Sequence, residues 1–289
     1  MRLDRVETIQ LLNQDIYGEH DAIVHYLTQA FTVSHQYGPQ IEQIARDEMR
    51  HLKWLAHSVV ALGGTPDLAI PTMRSTNSIR QAMEQDIEAE IQAIEQYLDH
   101  IEKIPDPRIQ RLIERIVVDE RDHYRQFGEL LDQQQGEAWG AERLEDDVAS
   151  VAHQLRTLVV TEYQAVLGYL MEFFIRQHQR AMGMDYEERA IDEMKHLGWV
   201  AEQLARFGVV PPLGKSGTSG DGPQIIDENR EQSRYVAVRR WAKDGHPELL
   251  PLLDRIMAHE QYQRSLAVNN GGWTVGPLRD EYWGAGGGF

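Results

Sequence analysis

At 289 residues the chain has the length of about two domains, and 42% hydrophobic with 26% charged residues is the composition of a globular protein with a sizeable core. A net charge of −17 argues against a nucleic-acid partner, whose backbone it would repel, and makes cations the natural ligands. The absence of cysteine excludes disulfides, thiolate metal sites, iron–sulfur clusters and a cysteine nucleophile. The start "MRLDRVETIQ" carries no apolar leader and no apolar run approaches the ~20 residues of a bilayer span, so a cytoplasmic protein without a membrane partner is expected.

Taken in chain order, eight helices are predicted, four per half: 3–36, 39–62, 76–103 and 107–134, then 144–178, 185–207, 223–244 and 247–267. "QLLNQDIYGEHDAIVHYLTQAF" in the first places apolar residues three and four apart, the period of an amphipathic helix. "YGP" at 37–39, "LGGTPD" at 62–67 and "IPDP" at 104–107 carry turn chemistry between helices. "QQQGEAWGAE" at 133–142 is the expected connector between halves. β-branched alternation is nearly absent, which argues against strands. The domains expected are therefore 1–135, 144–268 and a glycine-rich tail, 269–289.

The halves repeat one another. "DEMRHLKW" (47–54) returns as "DEMKHLGW" (192–199), 145 positions on, and "GGTP" (63–66) returns as "GVVP" (208–211) at the same offset. "EHDAIVHY" (19–26) has its counterpart in "EYQAVLGY" (162–169). Shared offsets across separate segments indicate a duplicated unit, each copy long enough for a four-helix bundle.

Within the first half Glu48 and His51 are three apart on the second helix, and Glu120 and His123 repeat that spacing on the fourth. Glu19 and Glu90 sit on the first and third in a shared pattern, Glu-x-x-Ala-Ile-x-x-Tyr, which ends at Tyr26 and Tyr97. Leu12, Ile16 and Ile23 share the side of Glu19, and Ile41, Ile44, Ala45, Leu52 and Leu55 the side of Glu48, so the acids are expected inside the apolar stripe. Four unpaired carboxylates in a core would each cost several kcal/mol. Two divalent cations neutralise them and two imidazoles complete the ligand set. One Glu from each of two helices with Glu-x-x-His from each of the other two is a known di-iron pattern.

These residues resemble the ferritin-like superfamily, most closely bacterioferritin, whose second-helix motif "DEMRH" and "DEMKH" resemble. The resemblance implies an all-α chain of two tandem ferritin-like four-helix bundles and a di-iron centre that oxidises Fe(II) with O2 or peroxide. It implies Glu19, Glu48, His51, Glu90, Glu120 and His123 as ligands, with Glu48 and Glu120 bridging. Carboxylates with imidazoles suit iron or manganese better than copper. Tyr26 matches a tyrosine near the centre in that family; the other reading is a core tyrosine with one hydrogen-bond partner.

In the second half the resemblance implies Glu162, Glu193, His196, Glu228 and Glu260 as ligands, but Gln263 stands where histidine is expected. A neutral amide is a poorer iron ligand, so this site takes one metal well or two more weakly. The register of Glu228 competes with Asp227 and Glu231.

Met49 and Met194 follow the Glu of each repeated motif and face away from the pocket; in bacterioferritin such a methionine ligates haem b between subunits, and elsewhere methionine simply fills gaps. "WTVGPLR" (273–279) resembles the cargo-loading peptides of encapsulin shells, with Pro277 in place of Ser. Val275 and Leu278 would enter apolar pockets while Arg279 meets an acid. The resemblance also implies a homo-oligomer. Three functions remain open: a ferroxidase for iron storage or detoxification, a di-metal peroxidase or catalase, and a haem-bearing electron-transfer or structural protein.

Overall fold

The computed structural model describes residues 4–33, 37–74, 76, 78–133, 146–176, 180–214 and 228–270; side chains at 146–147, 180–185, 228–231 and 265–270 lie outside that description. The chain is all-α. The elements are α1 (Arg5–Thr32), α2 (Gly38–Ala61), α3 (Ile79–Lys103), α4 (Pro107–Gln133), α5 (Asp146–Ile175), α6 (Arg180–Arg206), α7 (Glu228–Gly245) and α8 (Leu250–Asn270), with a 3-10 turn, Pro247–Leu249, leading into α8. The predicted helices stand close to these. The main difference is α6, which begins at Arg180 rather than 185 and continues through Gly183, whose helix penalty of about 1 kcal/mol does not end it. Two compact units result: Met1–Ala152 with Ala201–Pro223, and His153–Val200 with Gln224–Phe289.

Local chemistry explains the helix ends. Asp4 caps α1 in a reciprocal box: its side chain accepts from the Glu7 amide, and the Glu7 carboxylate accepts from the Asp4 amide. Asp106 caps α4 ahead of Pro107, accepting from the Arg108 amide at 2.8 Å. Gly63 ends α2 at φ 78°, and Gly208, 145 positions on, follows α6 at φ 73°. Only glycine enters that left-handed conformation cheaply, so the repeated "LGG" and "FGV" stop both helices by the same device.

Side-chain pairs give the directions of the helices. Between α1 and α3, Glu19 meets Tyr97 and Tyr26 meets Glu90; between α2 and α4, His51 meets Asp119 and Asp47 meets His123. Partners rise in number on one helix as they fall on the other, so both pairs are antiparallel. With α1–α2 and α3–α4 joined as hairpins, α2 and α3 must run parallel. The connection 62–78 therefore crosses the length of the bundle, ~36 Å for a helix of this size, well within the ~55 Å reach of such a segment. Asn13 pins its start by donating to the Thr65 carbonyl at 3.1 Å and accepting from the Asp67 amide at 3.0 Å. Leu68 and Ile70 are buried along it.

The core at one end of this first bundle gathers Tyr26, Val33, Tyr37, Ile41, Ile44, Ala45, Ile79, Met83, Phe127 and Leu130. The second unit repeats the arrangement: Glu162 on α5 meets Tyr235 on α7, and Asp192 on α6 meets Gln263 on α8. Its helix α5 corrects one expectation. Val148–Ile175 is long and apolar enough, by length and composition, to cross a membrane, but 67% of its most apolar window is buried in the fold and it carries Glu162 into the bundle.

Candidate metal centre

Four helices each deliver one acid to the middle of the first bundle. Glu19, Glu48, Glu90 and Glu120 are all buried, with His51 and His123 beside them. They form two clusters whose ligand atoms lie within 4.8 Å of one another: Glu19, Glu48, His51 and Glu120, and Glu48, Glu90, Glu120 and His123. Glu48 and Glu120 belong to both. Glu48 turns Oε2 to the His51 Nδ1 at 2.8 Å and Oε1 to the His123 Nδ1 at 2.9 Å. Glu120 turns Oε1 to His51 at 3.0 Å and Oε2 to His123 at 3.4 Å. Each shared carboxylate thus offers one oxygen to each position.

Protons alone do not satisfy this arrangement. The His51 Nδ1 faces Glu48, Glu120 and, at 3.6 Å, Glu19, yet it carries at most one proton. Glu48 Oε1 and Glu120 Oε1, one at each position, stand 2.9 and 3.0 Å from His123 and His51, buried and without a well-directed hydrogen bond. A buried orphan acceptor costs about 1–3 kcal/mol, more when charged. A divalent cation at each position would be held by these oxygens and by the Nδ1 lone pairs, so the donor set fits a pair of metals.

The electrostatics without metal lead to the same conclusion. Burial and then the Glu48 charge push Glu19 far above the ordinary carboxylate range, and burial and the same Glu48 charge do so for Glu90. For Glu48 and Glu120 burial also pushes upward, but the hydrogen bonds and charges of the two histidines win, lowering Glu48 and bringing Glu120 to about 2. Burial works against the histidine charges, yet the surrounding acids raise His51 and His123 well above the usual imidazole value. Without metal, the two imidazoles are thus pushed towards the charged form and the outer two glutamates towards the neutral form. Two divalent cations would offset the charge of all four carboxylates with both imidazoles neutral.

Other side chains hold the ligands in place. Tyr97 donates to Glu19, and Tyr26 donates to Glu90 Oε1 at 2.5 Å. Burial, reinforced by the facing glutamates, raises both phenols, so they remain donors. Asp119 lies 3.2 Å from the His51 Nε2 and Asp47 3.5 Å from the His123 Nε2, leaving each Nδ1 directed inward. One turn out, Asp15 meets His100 at 2.8 Å while Asp86 accepts from Gln29 at 2.5 Å.

Sequence reasoning named neither Asp47 nor Asp119 for a role, nor Tyr97 beyond its place in the pattern. The signal was present: Asp precedes each Glu-x-x-His, and the α1–α3 echo runs on from Asp15 to Gln29 and from Asp86 to His100.

A cavity of about 160 Å³ opens between α1 and α3 onto Glu19, Glu48, Glu90 and Glu120. Gly18, Ala22, Ala89 and Ala93 line it, and the ion pair of Asp21 and Arg74 stands on it. Cavities for larger organic ligands run to roughly 300–1,000 Å³, so this one suits ions, water and small oxidants.

Residues 9–136 match the ferritin-like domain family. The first bundle is thus similar to ferritin-like domains over these residues. A search of curated proteins found no match. In ferritin-like bundles of the di-metal kind the ligands project inward from four helices, as here.

In the second unit Glu162, Glu193 and His196 form one such cluster, all buried. The His196 Nδ1 lies 3.6, 3.1 and 3.0 Å from Glu162, Glu193 and Glu260, close to the spacing at His51. Gln263 is buried but donates to Asp192. His259 sits at the outer nitrogen of His196, 2.7 Å away, where the first unit has Asp119. The side chain of Glu228 and the peptide 273–279 lie outside the described residues. Met49 and Met194 are half-buried and stand outside the acid clusters.

Proposed function

We propose that the ferritin-like domain is a ferroxidase: it takes up Fe(II) at two positions and oxidises it with O2 or peroxide, serving iron storage or detoxification. The observation that carries this reading is the sharing of Glu48 and Glu120 between two clusters, each completed by its own histidine and its own outer glutamate. A pair of Fe(II) ions held there supplies one electron each to a common oxidant. The protein's part is to keep four carboxylates ready without reorganisation. Tyr26 and Tyr97 orient the outer acids, Asp47 and Asp119 orient the imidazoles, and the small-residue cavity limits access to ions and small oxidants.

The test is aerobic Fe(II) oxidation followed by the rise in near-ultraviolet absorbance. Glu48→Ala removes a ligand from both positions, and its oxidation rate is expected to fall towards zero while circular dichroism stays helical. A wild-type rate in that variant overturns the reading.

The likeness of "WTVGPLR" to cargo-loading peptides supports delivery to an encapsulin shell, and the tail should be required for co-purification with such a shell. Haem binding rests on Met49 and Met194 alone, and the absorption spectrum of the purified protein decides it.

A further inference from the structure

The cavity between α1 and α3 has two unlike ends. At one, the Arg74 guanidinium pairs with Asp21, and its charge also acts on the buried Asp86, so the acids there are compensated. At the other stands Asp15, buried and lining the cavity. Its Oδ1 accepts from the Gln96 amide nitrogen at 2.8 Å and lies 2.8 Å from His100 Nδ1. Its Oδ2 is buried with no hydrogen-bond partner among the described residues. Burial is the largest influence on this carboxyl and raises it above the ordinary range; the His100 and Gln96 contacts only partly offset it. The charged form therefore lacks a partner. Gln96 has committed its nitrogen to Asp15 and keeps its oxygen for another. At Gly18, which also lines the cavity, a side chain would meet nothing, so the approach from solvent is open.

Packing does not require this arrangement, because the second bundle does without it. Aligned on the contacts of Tyr97 with Glu19 and of Tyr235 with Glu162, Asp15 and His100 correspond to Leu158 and Val238, both buried. Gly18 and Gln96 correspond to Thr161 and Arg234, and there the Arg234 guanidinium donates to the Thr161 hydroxyl between α7 and α5. One mouth is thus open and acidic while the other is bridged and basic. A buried acid at a place that leucine can fill is unfavourable unless a cation comes to it.

We infer that Asp15 is a capture site for a third divalent cation in the first bundle, bound through Oδ2, the Gln96 carbonyl oxygen and water on its way to the centre, with His100 holding the carboxylate. Oxygen ligands with water suit hydrated Mn(II) or Fe(II). An acidic mouth also raises the local cation concentration and with it the rate of capture. The site stands by itself; its service to the centre rests on the di-metal reading.

The test is an anaerobic titration of the full-length apo chain with Mn(II), reading free ion from its electron paramagnetic resonance signal, together with anomalous scattering from Mn(II)-soaked crystals. A peak is expected at coordination distance from Asp15 Oδ2, separate from those beside His51 and His123. Asp15→Leu with His100→Val, the pair that the second bundle packs, should remove that peak and lower the count by about one while the central peaks remain. Asp15→Asn, which keeps the shape, should do the same and covers a failure of the double variant to fold. After rapid mixing, free Mn(II) should disappear about tenfold more slowly in these variants and in Gln96→Arg. In Glu48→Ala the Asp15 peak should persist, so absence of the central pair alone sinks the di-metal reading and not this site. Ordered water alone at Asp15 Oδ2, a wild-type count in the Asp15 variants, or a wild-type rate of uptake in them overturns the inference.

Discussion

Asp119 touches no metal position directly, yet it fixes which nitrogen of His51 points inward. Replacing it by Asn leaves the shape intact and weakens that orientation. Asp119→Asn should therefore cost about 10–100-fold in Mn(II) affinity, measured by the same titration, with little change in helicity. Asp86 offers a separate check away from the metal ligands. Burial, only partly offset by Gln29, holds its carboxyl at about 7 against an ordinary 3.8. The folded state thus binds this proton more tightly than the unfolded state does. Its contribution is most favourable below 3.8 and is lost as pH rises towards about 7. Asp86→Asn removes that titration, so its urea midpoint should fall less than the wild type's between those two pH values. At this scale the clustering of six side chains in the first unit was legible, because Glu-x-x-His twice and Glu-x-x-Ala-Ile-x-x-Tyr twice place them all on inward faces. The roles of Tyr97 and Asp119 were not, because spacing along a helix does not say what stands opposite on another. The fate of Gln263 was half legible: its loss of ligand power followed from its chemistry, but its bond to Asp192 needed the fold.

Helix ends in this chain are set by single residues, and their removal has calculable effects. Asp106→Ala deletes the cap of α4 and should destabilise by about 1 kcal/mol in chemical denaturation. The hydrogen bonds from Arg108 also depress the Asp106 carboxyl to about 2, a group with little burial. That part of the stability is present above 3.8 and is lost as pH falls towards about 2, so the penalty of the variant should shrink in acid. Most helix boundaries were readable from such signals, since Gly, Pro and capping acids punctuate a clean 3.6-residue period. The start of α6 was not, because Asp185 with Glu188 three residues on reads as a helix start, yet the helix already runs from Arg180. The crossover 62–78 likewise follows only from pairing: once Tyr97 meets Glu19 and His51 meets Asp119, α2 and α3 must run parallel. Sequence could supply the loop but not the direction in which it runs.

At the scale of the molecule, duplication explains why one chain writes "DEM" and His-Leu twice, and divergence explains why the copies differ. One unit brings two Glu-x-x-His pairs together; in the other, Gln263 stands at the place of His123 and donates to Asp192. The cost of four buried acids is distributed across the first bundle, so cation binding should act on the stability of the whole fold. Mn(II) at one hundred times its Kd stabilises by about 2.7 kcal/mol per site, and the apo chain should melt correspondingly earlier. Chelator treatment should reverse the effect. The most direct test of the account is to locate the ions. In Mn(II)-soaked crystals, anomalous scattering should show two peaks between Glu48 and Glu120, one beside His51 and one beside His123. A bundle that excludes metal from both places, with its acids still buried, would contradict the account.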